Sequence, residues 1–271
     1  MYDKNNQEKE ESFIKEESKS EPPARKVSLE EANDFIAVSK RCGSRIANGV
    51  SMCIVSPVVV ILLKGIMETG KYAIAEKSAN FIGTLILLLL VAGAVALFIP
   101  SGLSLGRYEF LEKERIDTAY GVIGMVQEKK KALEDRRISQ ITLGVVLCIL
   151  SVVPLVSATL MEMGDSIISF MVVVLLTLVA VAVNLFVRIG IEWSCYEKLL
   201  QEGDYTDRNK KAEKSIGNIA GIYWGIITAG YLGYNFITGR WGESWIVWPV
   251  AGILFGVISS IVKMCMGGRE E

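Results

Sequence analysis

The sequence predicts an all-α integral membrane protein with six transmembrane helices in three hairpins and amphipathic cytoplasmic segments. Three observations predict it. The 271 residues are 51% hydrophobic with a mean hydropathy of +0.38, and the apolar residues gather in long runs instead of short periodic pieces. The runs from Phe81 to Pro100 and from Ile167 to Val187 hold no charged residue. Lys and Arg collect in alternate links between runs.

The chain opens with a mixed-charge segment, residues 1–27, with acids such as Glu8, Glu10 and Glu16 among bases such as Lys9, Lys15 and Arg25. Little in it can be buried, so a disordered cytoplasmic tail is expected, with a docking tail as the second reading. The first apolar run starts too late for a cleavable signal peptide, so none is expected. Ser28-Leu-Glu-Glu31 then fits a capping box, Ser28 as N-cap and Glu31 three residues on. Leu29, Ala32, Phe35 and Ile36 follow at helical spacing, which predicts an amphipathic juxtamembrane helix over 28–43, lying on the inner membrane surface.

Residues 44–266 form the membrane domain. The six runs lie near 44–65, 81–102, 139–161, 167–188, 216–236 and 245–266. About 20 residues at roughly 1.5 Å each cross a hydrocarbon core of about 30 Å. The runs do not alternate as barrel strands do. The link between the second and third carries Arg107, Lys113, Arg115, Lys129, Lys130, Lys131, Arg136 and Arg137, and that between the fourth and fifth carries Arg188, Lys198, Arg208, Lys210, Lys211 and Lys214. The link 162–166 has no base and 237–244 only Arg240, whereas 66–80 balances Lys71 and Lys77 against Glu68 and Glu76. The asymmetry predicts both termini in the cytoplasm and a multi-pass protein of the cell membrane. Within the long basic link, Tyr108, Leu111, Ile116, Tyr120, Ile123 and Val126 predict an inner-surface helix over 104–137, broken near Gly121 and Gly124, its lysines and arginines against anionic headgroups.

The first two hairpins read as copies. Gly49, Cys53 and Ser56 match Gly144, Cys148 and Ser151 at an offset of 95 (144 − 49), and Phe98, Tyr108 and Glu109 match Phe186, Tyr196 and Glu197 at 88 (186 − 98). Repeat 1 covers about 44–114 and repeat 2 about 139–205; the third hairpin, 216–266, has lost most of the similarity. Both copies enter from one side, so the repeat is parallel.

The candidate positions are few. Pro57 and Pro154 sit inside spans, as tolerated kinks first and hinges second. Asn184 is the clearest polar residue in a span, read first as an interhelical hydrogen bond and second as a ligand contact. Tyr234, Trp241, Trp245 and Trp248 fit an interfacial aromatic belt better than an outward-facing pocket. No Asp or Glu lies deep in a span, which disfavours a proton-coupled pump.

Composition narrows the chemistry. Histidine is absent, which removes the usual general base and any His-held zinc, iron or haem. Cys42, Cys53, Cys148, Cys195 and Cys265 show no CxxC spacing and read as small reduced core residues. No catalytic, metal or cofactor site is expected. A net charge of −1 and the lack of a helix-turn-helix pattern give no reason for a nucleic-acid partner.

From Ser28 on, and above all in Tyr231-Leu-Gly-Tyr-Asn-Phe-Ile-Thr-Gly-Arg-Trp-Gly-Glu-Ser-Trp-Ile-Val-Trp-Pro-Val-Ala-Gly252, the chain resembles an uncharacterised group of six-helix membrane modules of Gram-positive bacteria. They are similar to the membrane region of Xre-type helix-turn-helix regulators and to permease-prefix proteins. The charged tail here stands where such regulators carry their DNA-binding domain, so transcriptional control is not carried over. Some similar sequences bear a carotenoid-oxygenase name; that chemistry needs histidine-held iron, so it is not carried over either. The expected role is a non-enzymatic sensor or accessory subunit that sits in the bilayer and signals to a cytoplasmic or membrane protein partner. A small permease or permease component, with a cavity between the repeated hairpins, is the second reading, and a membrane enzyme the third.

Overall fold

The structure, a computed structural model, describes residues 24–68, 76–239, 241–242 and 244–267. They fall into two compact units: residues up to Leu111 with Arg115–Leu200, and Glu112–Glu114 with the residues from Gln201 on. Apart from two strands of three residues each, the regular structure is helical.

The first unit contains β1 (Arg25–Val27), α1 (Leu29–Glu68), α2 (Glu76–Gly106), β2 (Ile116–Thr118), α4 (Val122–Leu160) and α5 (Asp165–Leu200); the short helix α3 (Phe110–Lys113) straddles the division. Ser28 caps α1: its Oγ accepts the Glu31 backbone N–H at 3.1 Å. The Glu31 carboxylate turns away to Arg25 at 3.0 Å, so half of the capping box is made. Helix α1 then runs 40 residues without a break. At about 1.5 Å per residue that is roughly 60 Å, twice the hydrocarbon thickness. The amphipathic segment 28–43 is therefore the first part of the same rod as the apolar run, not a separate helix lying flat.

Helix α4 behaves in the same way. Gly121, at φ 86°, takes the left-handed conformation that a side chain would strain and turns the chain into α4. From Val122 the helix passes through Gly124 and on to Leu160. The segment expected as one inner-surface helix over 104–137 is thus divided among the end of α2, α3, β2 and the start of α4. Arg25–Val27, expected in the disordered tail, pairs in parallel with Ile116–Thr118, and Val27 is buried. Residues 1–23 of that tail lie outside the described residues.

The four long helices form a layer in the order α2–α1–α5–α4. Gly49 of α1 meets the Phe98 ring of α2, whereas Ser51 of α1 reaches the Ala180 carbonyl of α5. Two residues are about 200° apart around a helix, so α2 and α5 flank opposite sides of α1. Helix α5 repeats this: Asn184 faces α1, and Phe186 faces Gly144 of α4. The positions aligned in the sequence thus meet in the same way twice, Gly49 on Phe98 and Gly144 on Phe186.

The second unit pairs α6 (Asp207–Thr238) with α7 (Val247–Gly267). Thr206 caps α6, and Gly239, at φ 67°, ends it by donating its N–H to the Asn235 carbonyl.

Five of the described helices are long and apolar enough to cross a membrane by length and composition: α1, α2, α4, α5 and α7, the last with the turn before it as Ser244–Cys265. Helix α6, which holds the fifth run, is not among them; its first half is rich in Lys, Asn and Gly. The apolar stretches expose their side chains, Leu89 by 63% and Ile149 by 64%. So much continuous apolar surface suits a hydrocarbon surround, not water.

Candidate functional site

The best-packed part of the first unit is not in the apolar layer but beyond it, where α1, α4 and α5 continue into charged sequence. Val27 of β1, Phe35 and Ile36 of α1, Phe110 and Leu111 of α3, Val122, Val126 and Leu133 of α4, and Tyr196 and Leu199 of α5 bury one another in a single core. Each helix supplies an apolar stripe at three- and four-residue spacing, such as Val122, Val126 and Leu133. Of the stripes that read as membrane-facing, Ala32, Phe35, Ile36, Leu111 and Val126 face protein, whereas Leu29, Tyr120 and Ile123 are exposed.

Charged and polar groups tie the rim of this core. The Arg25 guanidinium lies 3.5 Å from the centre of the Phe110 ring. Tyr108 Oη donates to Asp34 Oδ2, and Lys129 Nζ donates to Asn33 Oδ1 at 2.9 Å. Burial and the Asp34 carboxylate push the Tyr108 phenol up to about 12. Lys40 pairs with Glu192 at 2.9 Å. Burial alone would pull Lys40 down, but the Glu192 carboxylate more than offsets this, and the ammonium sits above its ordinary value. Burial pushes the Cys195 thiol up to about 11.

Trp193 is the hub on the outer side of α5. Its Nε1 donates to Glu197 at 2.7 Å, and its ring receives Lys130 at 4.7 Å and Arg137 at 4.0 Å. Lys130 and Arg137 are seven residues apart, two turns of α4, so both project from one face. Three of the bases expected against headgroups, Lys129, Lys130 and Arg137, therefore bind across to α1 and α5, leaving Lys131 and Arg136 exposed. Trp193 and Asn33 were not foreseen; the seven-residue spacing of the two bases was the available signal.

The residues singled out in the sequence separate into three places. Asn184 lies on the seam between α1 and α5, its Nδ2 donating to Asn48 Oδ1 at 3.1 Å and to Ser51 Oγ at 3.0 Å. The seam is otherwise closed by small residues: Gly43 abuts Ile191, and Ala47 and Ala180 are buried. Asn48 was missed because it stands close to Arg45, where polarity looks like a span end. Pro57 lies within α1, and the Cys53 carbonyl it leaves without a backbone donor accepts from Ser56 Oγ at 2.8 Å. Pro154 lies within α4, where Ser151 Oγ donates to Cys148 O at 2.7 Å.

The aromatic positions belong to the second unit. Trp241 and Trp248 join a run of rings, Tyr231 lying 6.3 Å from Trp241 and 5.3 Å from Trp248, with Trp224 stacked on Trp248 at 6.2 Å. Tyr234 and Trp245 are exposed, by 51% and 62%. Asn235, not foreseen, is fully buried; its Oδ1 accepts from Ser244 Oγ and its Nδ2 donates to the Tyr231 carbonyl. Lys210 donates to the Glu114 carbonyl and to Gln201 Oε1, and burial lowers its pKa.

Chemically, this arrangement positions hydrogen bonds, ion pairs and cation–π contacts around a packed core. Compared with family models, curated proteins and solved structures, the chain matches none.

Proposed function

We propose that the chain is a six-span protein of the cell membrane with both termini cytoplasmic, and that it serves as a non-enzymatic sensor or accessory subunit signalling to a protein partner through its charged module. One observation carries this: α1, α4 and α5, 40, 39 and 36 residues long, each run unbroken from apolar sequence into one packed, charged core. A rigid helix transmits a tilt or shift along its whole length, so a change among the spans moves the module. The loop asymmetry in Lys and Arg supports a cytoplasmic module, and α6 would complete the third hairpin.

The permease reading asks for a passage between the two helix pairs. Among the spans their seam is closed by Gly43 against Ile191 and by the Asn184 hydrogen bonds, and the one small cavity described between them lies at the charged end.

The test is capture of the tagged full chain from its own membranes in mild detergent, followed by mass spectrometry. A charge-reversed variant, Lys131→Glu with Arg136→Glu, leaves the internal contacts of the module intact. A stoichiometric protein, lost with the variant, supports the reading. A clean preparation without a partner sinks it and sends the protein to flux assays in liposomes.

A further inference from the structure

At the joint between the layer and the charged module lies a cavity of about 170 Å³, walled by Phe35, Leu105 and Ile191. Its polar lining is Ser39 of α1 with Ser194, Cys195 and Lys198 of α5. Ser39 is only 2% exposed, and its Oγ makes no hydrogen bond of good geometry, its one polar neighbour being the weakly bonding Cys195 thiol. A buried hydroxyl left unpaired is destabilising, and a bound water or ligand is one way such a group finds its partner. Every polar lining side chain can donate a hydrogen bond, Lys198 adds a positive charge, and none of the described lining residues is acidic. Gly190 borders the cavity, and a Cβ there would meet nothing within 4 Å, so the mouth is open on that side.

We propose that this cavity binds a short-chain organic carboxylate, its oxygens on the Ser39 hydroxyl and near the Lys198 ammonium, and its apolar tail against Phe35, Leu105 and Ile191. The volume equals the share of about five or six waters, which suits a chain of a few carbons. Because α1 and α5 both line the cavity and both enter the module, an occupant that draws Ser39 towards Lys198 adjusts the two helices against each other. Its role as the signal rests on the sensor reading above; binding itself does not.

The experiment is calorimetric titration of sodium butyrate into the full chain in lipid nanodiscs, with butyramide and empty nanodiscs as controls. Ser39→Ala removes the hydroxyl without leaving a buried group unpaired, and Gly190→Leu fills the mouth from a position with free space. Saturable binding is expected, weakened about tenfold or more by Ser39→Ala and by the uncharged amide, and abolished by Gly190→Leu. The thermal unfolding midpoint of each variant checks that it is folded. Absence of saturable binding, as for a cavity holding only water, overturns the proposal; so does binding unchanged in both folded variants. Partner capture that survives while butyrate fails to bind removes this proposal alone. Binding without any partner removes the sensor reading alone.

Discussion

Replacing Gly144 by alanine adds one methyl group and should destabilise the protein. The new Cβ would lie 2.4 Å from Cε1 and 2.7 Å from Cζ of Phe186, about 1 Å inside ordinary contact. The neighbour is the edge of an aromatic ring, which cannot fold away as a flexible chain end would. Overpacking of this kind costs about 1–3 kcal/mol. Alanine recovers about 1 kcal/mol over glycine in a helix interior, which leaves a net loss of roughly 0–2 kcal/mol. The equivalent Gly49→Ala, 2.6 Å from Phe98 Cε1, should lose a similar amount. Gly221→Ala, with nothing within 4 Å, should be neutral or gain up to about 1 kcal/mol. The assay is reversible unfolding in mixed micelles followed by far-ultraviolet circular dichroism, with Phe186→Leu completing a double-mutant cycle. A coupling between Gly144→Ala and Phe186→Leu is expected, because the smaller side chain relieves the overlap. If Gly144→Ala stabilises the protein as Gly221→Ala does, and shows no coupling to Phe186, the close helix contact is refuted.

Two further outcomes follow from the same contacts. Asn184→Leu removes the donor to Asn48 and Ser51 and should cost about 0.6–1.7 kcal/mol in the same assay, with coupling to Asn48→Leu; additivity of the two would show that the seam does not rely on the bond. Tyr108 and Cys195 have folded pKa values of about 12 and 11, above their ordinary 10 and 9, so both hold their protons more tightly when folded. Their contributions are fully present below those ordinary values and fall away as pH rises, between about 9 and 11 for the thiol and about 10 and 12 for the phenol. Tyr108→Phe should remove one tyrosinate transition, seen in difference absorbance near pH 12. If the transition lost in that variant lies near the ordinary 10, the Asp34 contact is contradicted.

The apolar helices were legible because a span repeats one message over about 20 residues. Ser28 was legible because a cap has a fixed spacing to Glu31. Gly49 and Phe98 were visible as aligned positions, but that they touch each other is a property of the helix pair, not of either segment. The charged module was not legible, for a physical reason. An amphipathic stripe such as Val122, Val126 and Leu133 has the same spacing whether it faces lipid or protein, and only the partner helices decide. The two strands are three residues each, too short to show alternation, and Val27 pairs with β2 and is buried in a core that draws on α4 and α5 sequence far from it in the chain. Asn184 showed its own polarity, but its partner Asn48 was masked by the neighbouring Arg45.

On the function proposed above, the long helices leave the bilayer into a cytoplasmic module. The most direct measurement is labelling of single cysteines with a membrane-impermeant maleimide, in intact and in permeabilised cells, on a background with the five native cysteines replaced. Lys131→Cys reports on exposed α4 surface in the module, and Met161→Cys, at a residue 69% exposed, on the turn between α4 and α5. A cytoplasmic module requires position 161 to label in intact cells and position 131 only after permeabilisation; labelling of position 131 in intact cells would place the module on the other side.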